Sequence, residues 1–219
     1  MLVTHICTVS ALTPVDIGRV GVTAIDKKPV EGPVRVGRLG LWGDVQADRA
    51  NHGGADKAVY AMSNEEMAWW ERELGEELAP GVFGENLRVD GRVDDLIIGS
   101  RIRFGTALLE ATGCRTPCRT FEWWRGEKGW MKRFIARGRS GTYFRVIEPG
   151  HAQAGDRLEV LSVPNHGVSA GGWFRERPAP AQDLIDSHNQ GEFTLAPYVI
   201  KHMPSELREG IMPRDEQVQ

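Results

Sequence analysis

Residues 98–118, IGSRIRFGTALLEATGCRTPC, decide how this chain is read. A turn marked by Gly99 leads into 101–104, where apolar residues alternate toward one face, and a second run follows at 107–112; both read as β-strands. The same turn-then-strand pattern returns in AGDRLEVL, residues 154–161. The stretch ends on GCRTPC. Pro117 fixes one backbone torsion and removes an N–H, so Cys118 is expected neither inside a continuous strand nor in mid-helix. It reads as a presented side chain.

Working outward, further strand-type runs lie at 20–25, 34–41, 58–62, 86–89, 142–147 and 157–163, separated by turn signals that many of the 26 glycines supply. Two internal helices are expected. Ser63 and Glu66 form an S-x-x-E capping box ahead of Met67, Trp70 and Leu74, giving a helix from 63 to about 77. Trp130 and Phe134 share a face in 127–137, which Gly138 stops. After SVPNHG the strand pattern gives way to three short helices at 181–187, 197–203 and 205–209. Many short strands without a β-α rhythm predict a mainly β fold with some α: a closed or semi-closed β-barrel with capping helices over 1–165, followed by a small helical appendage over 166–219.

Composition sets the class. With 219 residues, 41% apolar content and a formal charge of −3, the chain predicts a packed core and no broad nucleic-acid face. Three cysteines without a charged-then-apolar leader predict a reducing compartment, the cytoplasm by default, and no apolar run approaches the roughly 18 residues of a spanning helix.

Three loops carry chemistry. In GDVQADRANHGGADKAVYAM, His52 precedes Gly53 and Gly54, whose N–H groups are able to converge on an anion beside Lys57; the plain reading is a Gly-Gly turn with a solvated Lys. In APGVFGENLRV, Asn86 offers donors and an acceptor to a heterocycle edge, or closes its own loop. In the third loop, Arg115 and Arg119 flank Cys118, and neighbouring positive charge favours the thiolate that acts as nucleophile or soft-metal ligand. Cys7 reads as a small buried hydrophobe. A Cys114–Cys118 redox pair lacks the usual spacing, and zinc lacks clustered ligands. Trp123, Trp124 and Trp130 either shape the open face near Cys118 or cap the core.

Four ordered segments, VTAIDKKPVEGPVRVGRLGLWGDVQADRANHGGADKAVYAM, GVFGENLRVDG, IGSRIRFGTALLEATGCRTPC and GTYFRVIEPGHAQAGDRLEV, together resemble the MOSC family, the molybdenum cofactor sulfurase C-terminal domains. The likeness runs from about residue 15 to 163 and is strongest to the YiiM-like branch, which carries a C-terminal three-helix domain. It implies a β-barrel that binds a pyranopterin molybdenum cofactor, with Cys118 as the metal ligand and Thr23, Lys27, His52, Lys57, Asn86 and Arg115 lining the pocket. Cys114 stands where the family pattern has Pro. The branch further implies reduction of N-hydroxylated compounds such as hydroxylaminopurine-type bases, with His52 a candidate proton donor. Lacking a Cys-rich cluster run and a dinucleotide fingerprint, such an enzyme takes electrons from a separate flavoprotein or haem reductase. A non-catalytic cofactor carrier or sulfur-transfer module is the alternative. No nucleic-acid polymer or membrane partner is expected, and a homodimer is compatible with the sequence.

Overall fold

The computed structural model describes residues 1–17 and 20–213, so the end of the expected C-terminal region, 214–219, lies outside the described residues. The strands are β1 (Leu2–Val9), β2 (Thr13–Pro14), β3 (Val22–Thr23), β4 (Lys27–Pro29), β5 (Val34–Gly37), β6 (Gly40–Leu41), β7 (Val59–Ser63), β8 (Leu87–Asp90), β9 (Arg101–Phe104), β10 (Ala107–Cys114), β11 (Thr142–Glu148), β12 (Gly150–Ala152) and β13 (Leu158–Ser162). The helices are α1 (Arg49–His52), α2 (Asn64–Leu74), α3 (Arg119–Arg125), α4 (Trp130–Arg137), α5 (Ala170–Glu176), α6 (Ala181–Gln190), α7 (Pro197–Ile200) and α8 (Ser205–Arg208).

Eight strands form one sheet in the order β13-β9-β10-β11-β7-β8-β1-β4, antiparallel except for the parallel β7–β8 pair. The sheet closes on itself. Leu2 bridges Arg157, Val3 N–H donates to Asp156 O at 2.9 Å, Gly155 N–H donates to Val3 O at 2.8 Å, and Leu158 N–H donates to Met1 O at 2.8 Å. The start of β1 thus joins the β13 edge, which leaves no free edge on that side of the ring. Val3, Ile6, Leu87, Val89, Ile102, Phe104, Leu109 and Phe144 fill the interior.

The closed arrangement agrees with the expected barrel, with local departures: the run expected at 20–25 is only β3, Val22–Thr23, and β2, β4 and β12 are additional short strands. β1 escapes the strand reading because a register shift between Val3 and His5 breaks its alternation. The single run expected at 34–41 is two strands, β5 and β6, paired across a turn. α3 is an additional helix that begins directly after Cys118 and stops at Gly126 in the left-handed region. α5 precedes the three C-terminal helices read from sequence, with Ser169 Oγ accepting from Gly172 N–H.

A second core sits at one end of the ring. Trp70 of α2, Phe83, Phe121 of α3, and Trp130 and Phe134 of α4 pack mostly edge-on or tilted, with Trp70 stacked on Phe134; Trp70 and Trp130 centroids are 4.6 Å apart and those of Phe83 and Phe121 5.2 Å apart. Trp173, Leu184, Phe193 and Val199 of the C-terminal region belong to the same cluster, so these helices are packed onto the mouth of the barrel. Gly113 shows how closely: its φ is +145°, and a Cβ there would lie 3.0 Å from both Tyr198 Oη and Val199 Cγ2.

Trp130 is fully buried and central to this cluster, so Trp130→Ala is expected to lower unfolding free energy by about 3–5 kcal/mol, measured by urea denaturation. A loss below 1 kcal/mol would show that the cluster does not act as a core.

Candidate functional site

The segments leading into β4, β7 and β8 and the segment after β10 carry the sequence-predicted residues, and they meet at one cleft against Tyr60 of β7 and Tyr143 of β11. This cleft encloses about 890 Å³ of atom-free space, open solvent at its mouth included. Thr23, Lys27, His52, Lys57, Asn86, Arg115 and Cys118 all line it. Gly53 and Gly54 do not. They line a second cleft of about 1300 Å³, between the barrel mouth and α7, which shares His52, Lys57, Cys118 and Tyr143 with the first.

Each loop is held by its own polar contacts. In the 81–86 loop, the Glu85 carboxylate accepts from Gly81 N–H at 2.7 Å and Phe83 N–H at 2.9 Å, and pairs with Arg88. Asn86 Oδ1 accepts from Tyr60 N–H at 3.1 Å, while its Nδ2 donates to Cys7 O at 3.2 Å and Asp44 Oδ2 at 2.8 Å. Its amide therefore ties three segments together while the residue lines the cleft. Asp44, unmarked in the sequence reading, is a hub: it also accepts from Val9 N–H at 2.9 Å and forms a buried ion pair with Lys27. Burial lowers the Lys27 pKa, against the raising effect of Asp44.

The paired glycines have a packing reason. A Cβ on Gly53 would lie 2.8 Å from Gln46 Oε1, and Gly54 N–H donates to that same oxygen at 2.8 Å. The Gly54 donor is thus engaged within the chain. Lys57 remains at the boundary of the two clefts, its Nζ 4.5 Å from the Tyr198 ring centroid, with burial lowering its pKa.

Arg115 is buried, donates to Phe83 O, and lays its guanidinium carbon 4.9 Å from the Tyr60 ring centroid and 4.4 Å from that of Phe121. Its Nε has no hydrogen-bond partner among the described residues. A buried donor in that state favours a ligand that brings an acceptor.

Cys118 stands at the N-cap of α3 with extended backbone angles, φ −134° and ψ 169°, so the side chain leaves the helix start at the wall common to both clefts. Burial raises its pKa, but a hydrogen bond from His52, the His52 charge and the Arg115 charge outweigh that and bring it down to about 7. Cys7 and Cys114 are the opposite case, pushed up to about 12 chiefly by burial. No group of three or more His, Cys, Asp or Glu among the described residues is arranged to hold a metal ion. A metal bound at Cys118 therefore has to bring most of its other ligands with it.

The aromatic rim differs from the one read in the sequence. Trp130 is core, Trp124 Nε1 donates to Val82 O at 2.8 Å, and Trp123 is 40% exposed; none of the three lines either cleft. Tyr60, Tyr143 and Tyr198 do, and their separation along the chain gives no local signal.

The family model described as MOSC domain matches residues 48–159. The uncharacterized protein YflK of Bacillus subtilis (strain 168) is 37% identical over 148 residues, 67% of each chain. A protein named Reductase from Gibberella moniliformis is 32% identical over 151 residues, 65% of this chain but 26% of that one. Among solved structures, YiiM from Geobacillus stearothermophilus superposes with a TM-score of 0.66 and 25% identity, covering 96% of each chain.

In the cofactor-free protein, alkylation of Cys118 by iodoacetamide is expected to be half-maximal near pH 7, while Cys7 and Cys114 stay unmodified through pH 9. His52→Ala removes both the hydrogen bond and the charge, so the midpoint moves to higher pH. Peptide mass mapping across a pH series reads this out; a Cys118 midpoint above 9 would show that His52 and Arg115 do not stabilise the thiolate.

Proposed function

Because the chain belongs to the MOSC domain family, we propose that it holds a pyranopterin molybdenum cofactor in the cleft at the barrel mouth and reduces N-hydroxylated compounds. One observation carries the reading: Cys118, the thiol held near pH 7, borders both the cleft suited to the cofactor and the cleft beyond it. A carrier needs the first cleft alone. A second cleft that meets the first at the metal-binding side chain is what an enzyme acting on a separate small molecule needs.

The residues present fit the group. On the wall of the first cleft Lys27 is paired with Asp44, and Lys57 and Arg115 stand against one further acid, Asp48, so the balance is mildly positive, which suits an anionic ligand. The unpartnered Arg115 Nε supplies a donor for an oxygen of that ligand. Cys118 supplies the soft thiolate. When bound, the cofactor supplies a two-electron metal centre able to accept the oxygen of an N–OH group. The overall change is R–NHOH plus two electrons and two protons to R–NH₂ plus water.

The chain's own residues bind, orient and handle protons. Arg115, buried against Tyr60 and Phe121, is fixed before any ligand arrives. His52 lines both clefts and is hydrogen-bonded to Cys118, which places an imidazole where a proton can pass toward the N–O bond as it breaks. Thr23, whose hydroxyl accepts from Ile25 N–H at 3.3 Å, and Lys27 complete the far wall of the first cleft. Electrons come from a separate flavoprotein or haem reductase, since the sequence carries no dinucleotide fingerprint and too few cysteines for an iron–sulfur cluster beside Cys118.

Protein purified from a host that makes the cofactor is expected to contain molybdenum by elemental analysis. It should reduce N-hydroxylated bases with a chemical reductant but not with NADH or NADPH alone. Cys118→Ser exchanges a soft donor for a hard one at little change in volume, so molybdenum content and turnover should both fall at least tenfold while the circular dichroism and melting temperature stay near wild type. Equal molybdenum and turnover in the variant would overturn the assignment of Cys118. Bound molybdenum without turnover on any N-hydroxylated compound would favour a carrier.

A further inference from the structure

The second cleft is the less expected of the two, and its far wall is made by the C-terminal region. Tyr198, Lys201 and His202, on α7 and the turn after it, face Lys57, Thr116 and Cys118 across it. Among the described residues neither Lys201 nor His202 forms an ion pair with a carboxylate. The acid that lines this cleft, Asp56, is paired with Arg145 at 3.0 Å. Arg177 approaches from behind, with its Nη1 donating to Thr116 Oγ1 at 3.2 Å. Burial first, then the charges of Arg177, Lys201, Lys57 and Arg208, lower the His202 pKa, as expected where several cations crowd one rim. The complement of such a rim is a multiply charged oxyanion.

The same cleft has an aromatic wall. Tyr143 and Tyr198 pack edge to face, with ring centroids 6.0 Å apart at 79°, and seat Lys57 Nζ 5.8 Å and 4.5 Å from their respective centroids, so the wall joins aromatic surface to a further cation. Resting on the reductase reading above, we propose that this cleft binds the phosphate monoester of the substrate, so that N-hydroxylated bases are accepted as nucleotides in preference to free bases or nucleosides. Lys201 and His202 take the phosphate, Tyr198 packs against the heterocycle or sugar, and Cys118 marks the end at which the N–OH group is presented. A carboxylate brings two oxygens; a phosphate dianion brings three and a second charge, enough to accept from the Lys201 ammonium and from the N–H of a neutral His202 together, which is why a nucleotide is favoured.

The full-length protein loaded with cofactor is assayed with a chemical reductant on 6-hydroxylaminopurine, its ribonucleoside and its ribonucleoside 5′-monophosphate. Binding of adenosine and adenosine 5′-monophosphate to the same preparation is measured by calorimetry. Expected results are a KM at least tenfold lower for the monophosphate than for the nucleoside, and adenosine monophosphate binding at least tenfold tighter than adenosine. Lys201→Ala and His202→Ala should each shrink both ratios at least threefold, and Lys201→Arg should restore them in part. Monophosphate and nucleoside equal in both KM and binding would overturn the proposal, and with the base still reduced the reductase reading would stand. No turnover of any of the three, with tighter monophosphate binding that depends on Lys201, would leave the anion-binding cleft and remove the proposed reaction. A monophosphate preference unchanged in all three variants would place the phosphate elsewhere and overturn the assignment to this rim.

Discussion

The antiparallel joining of residues 1–3 to residues 155–158 is the constraint on which the remaining structure depends. With that seam formed, the sheet is a ring, its apolar faces turn inward, and the loops at each rim are forced to converge. The site is the result of that convergence. Thr23, Asp44, His52, Asn86, Arg115 and Cys118 lie far apart in the chain, and no local segment holds more than two of them; the ring places them around one mouth. The long sequence separation of the seam also makes it costly in chain entropy, which the buried interior of Val3, Ile6, Ile102 and Phe104 has to offset.

Much of the architecture was legible because its signals are local. The capping box at Ser63 is realised, with Ser63 Oγ accepting from Glu66 N–H at 3.3 Å, and Gly138 ends α4 in the left-handed region. The strands β9, β10 and β11 carry alternation or dense apolar runs, and their boundaries fall close to those read from sequence. What escaped has no such marker. β1 is interrupted by a bulge, α3 hides behind a Pro–Cys pair that suggests only a break, and α5 contains Gly171 and Gly172, which depress helix propensity. Closure itself is non-local: the run of short strands without a β-α rhythm, and the family resemblance, made a barrel expected, while nothing in 1–10 marked where it would close.

The site divides in the same way. Residue types with unusual chemistry at tight spacing, Cys118 beside Arg115 and His52 beside Lys57, could be singled out, and the fold does bring them to one cleft. What sequence could not separate is whether a polar side chain faces a ligand or serves the chain. Asn86 and Gly54 look available in sequence but are engaged by Tyr60, Asp44 and Gln46. Asp44 and Tyr198 look unremarkable in sequence, yet Asp44 pairs with Lys27 and Tyr198 lines the second cleft with Cys118. Satisfaction of hydrogen bonds, visible only in three dimensions, decides which residues remain free to act.

Gly113 has a further consequence. α7 rests on β10 at Gly113, where a Cβ would press to 3.0 Å from Tyr198 and Val199, and beside Thr112, whose hydroxyl is hydrogen-bonded to Tyr198 Oη at 3.0 Å, so the docking uses one missing side chain and one matched pair. Such a contact places little demand on the residues of α7 that point elsewhere. The outer wall of the second cleft, at Lys201 and His202, can therefore change while the barrel and the Cys118 side of the cleft stay as they are.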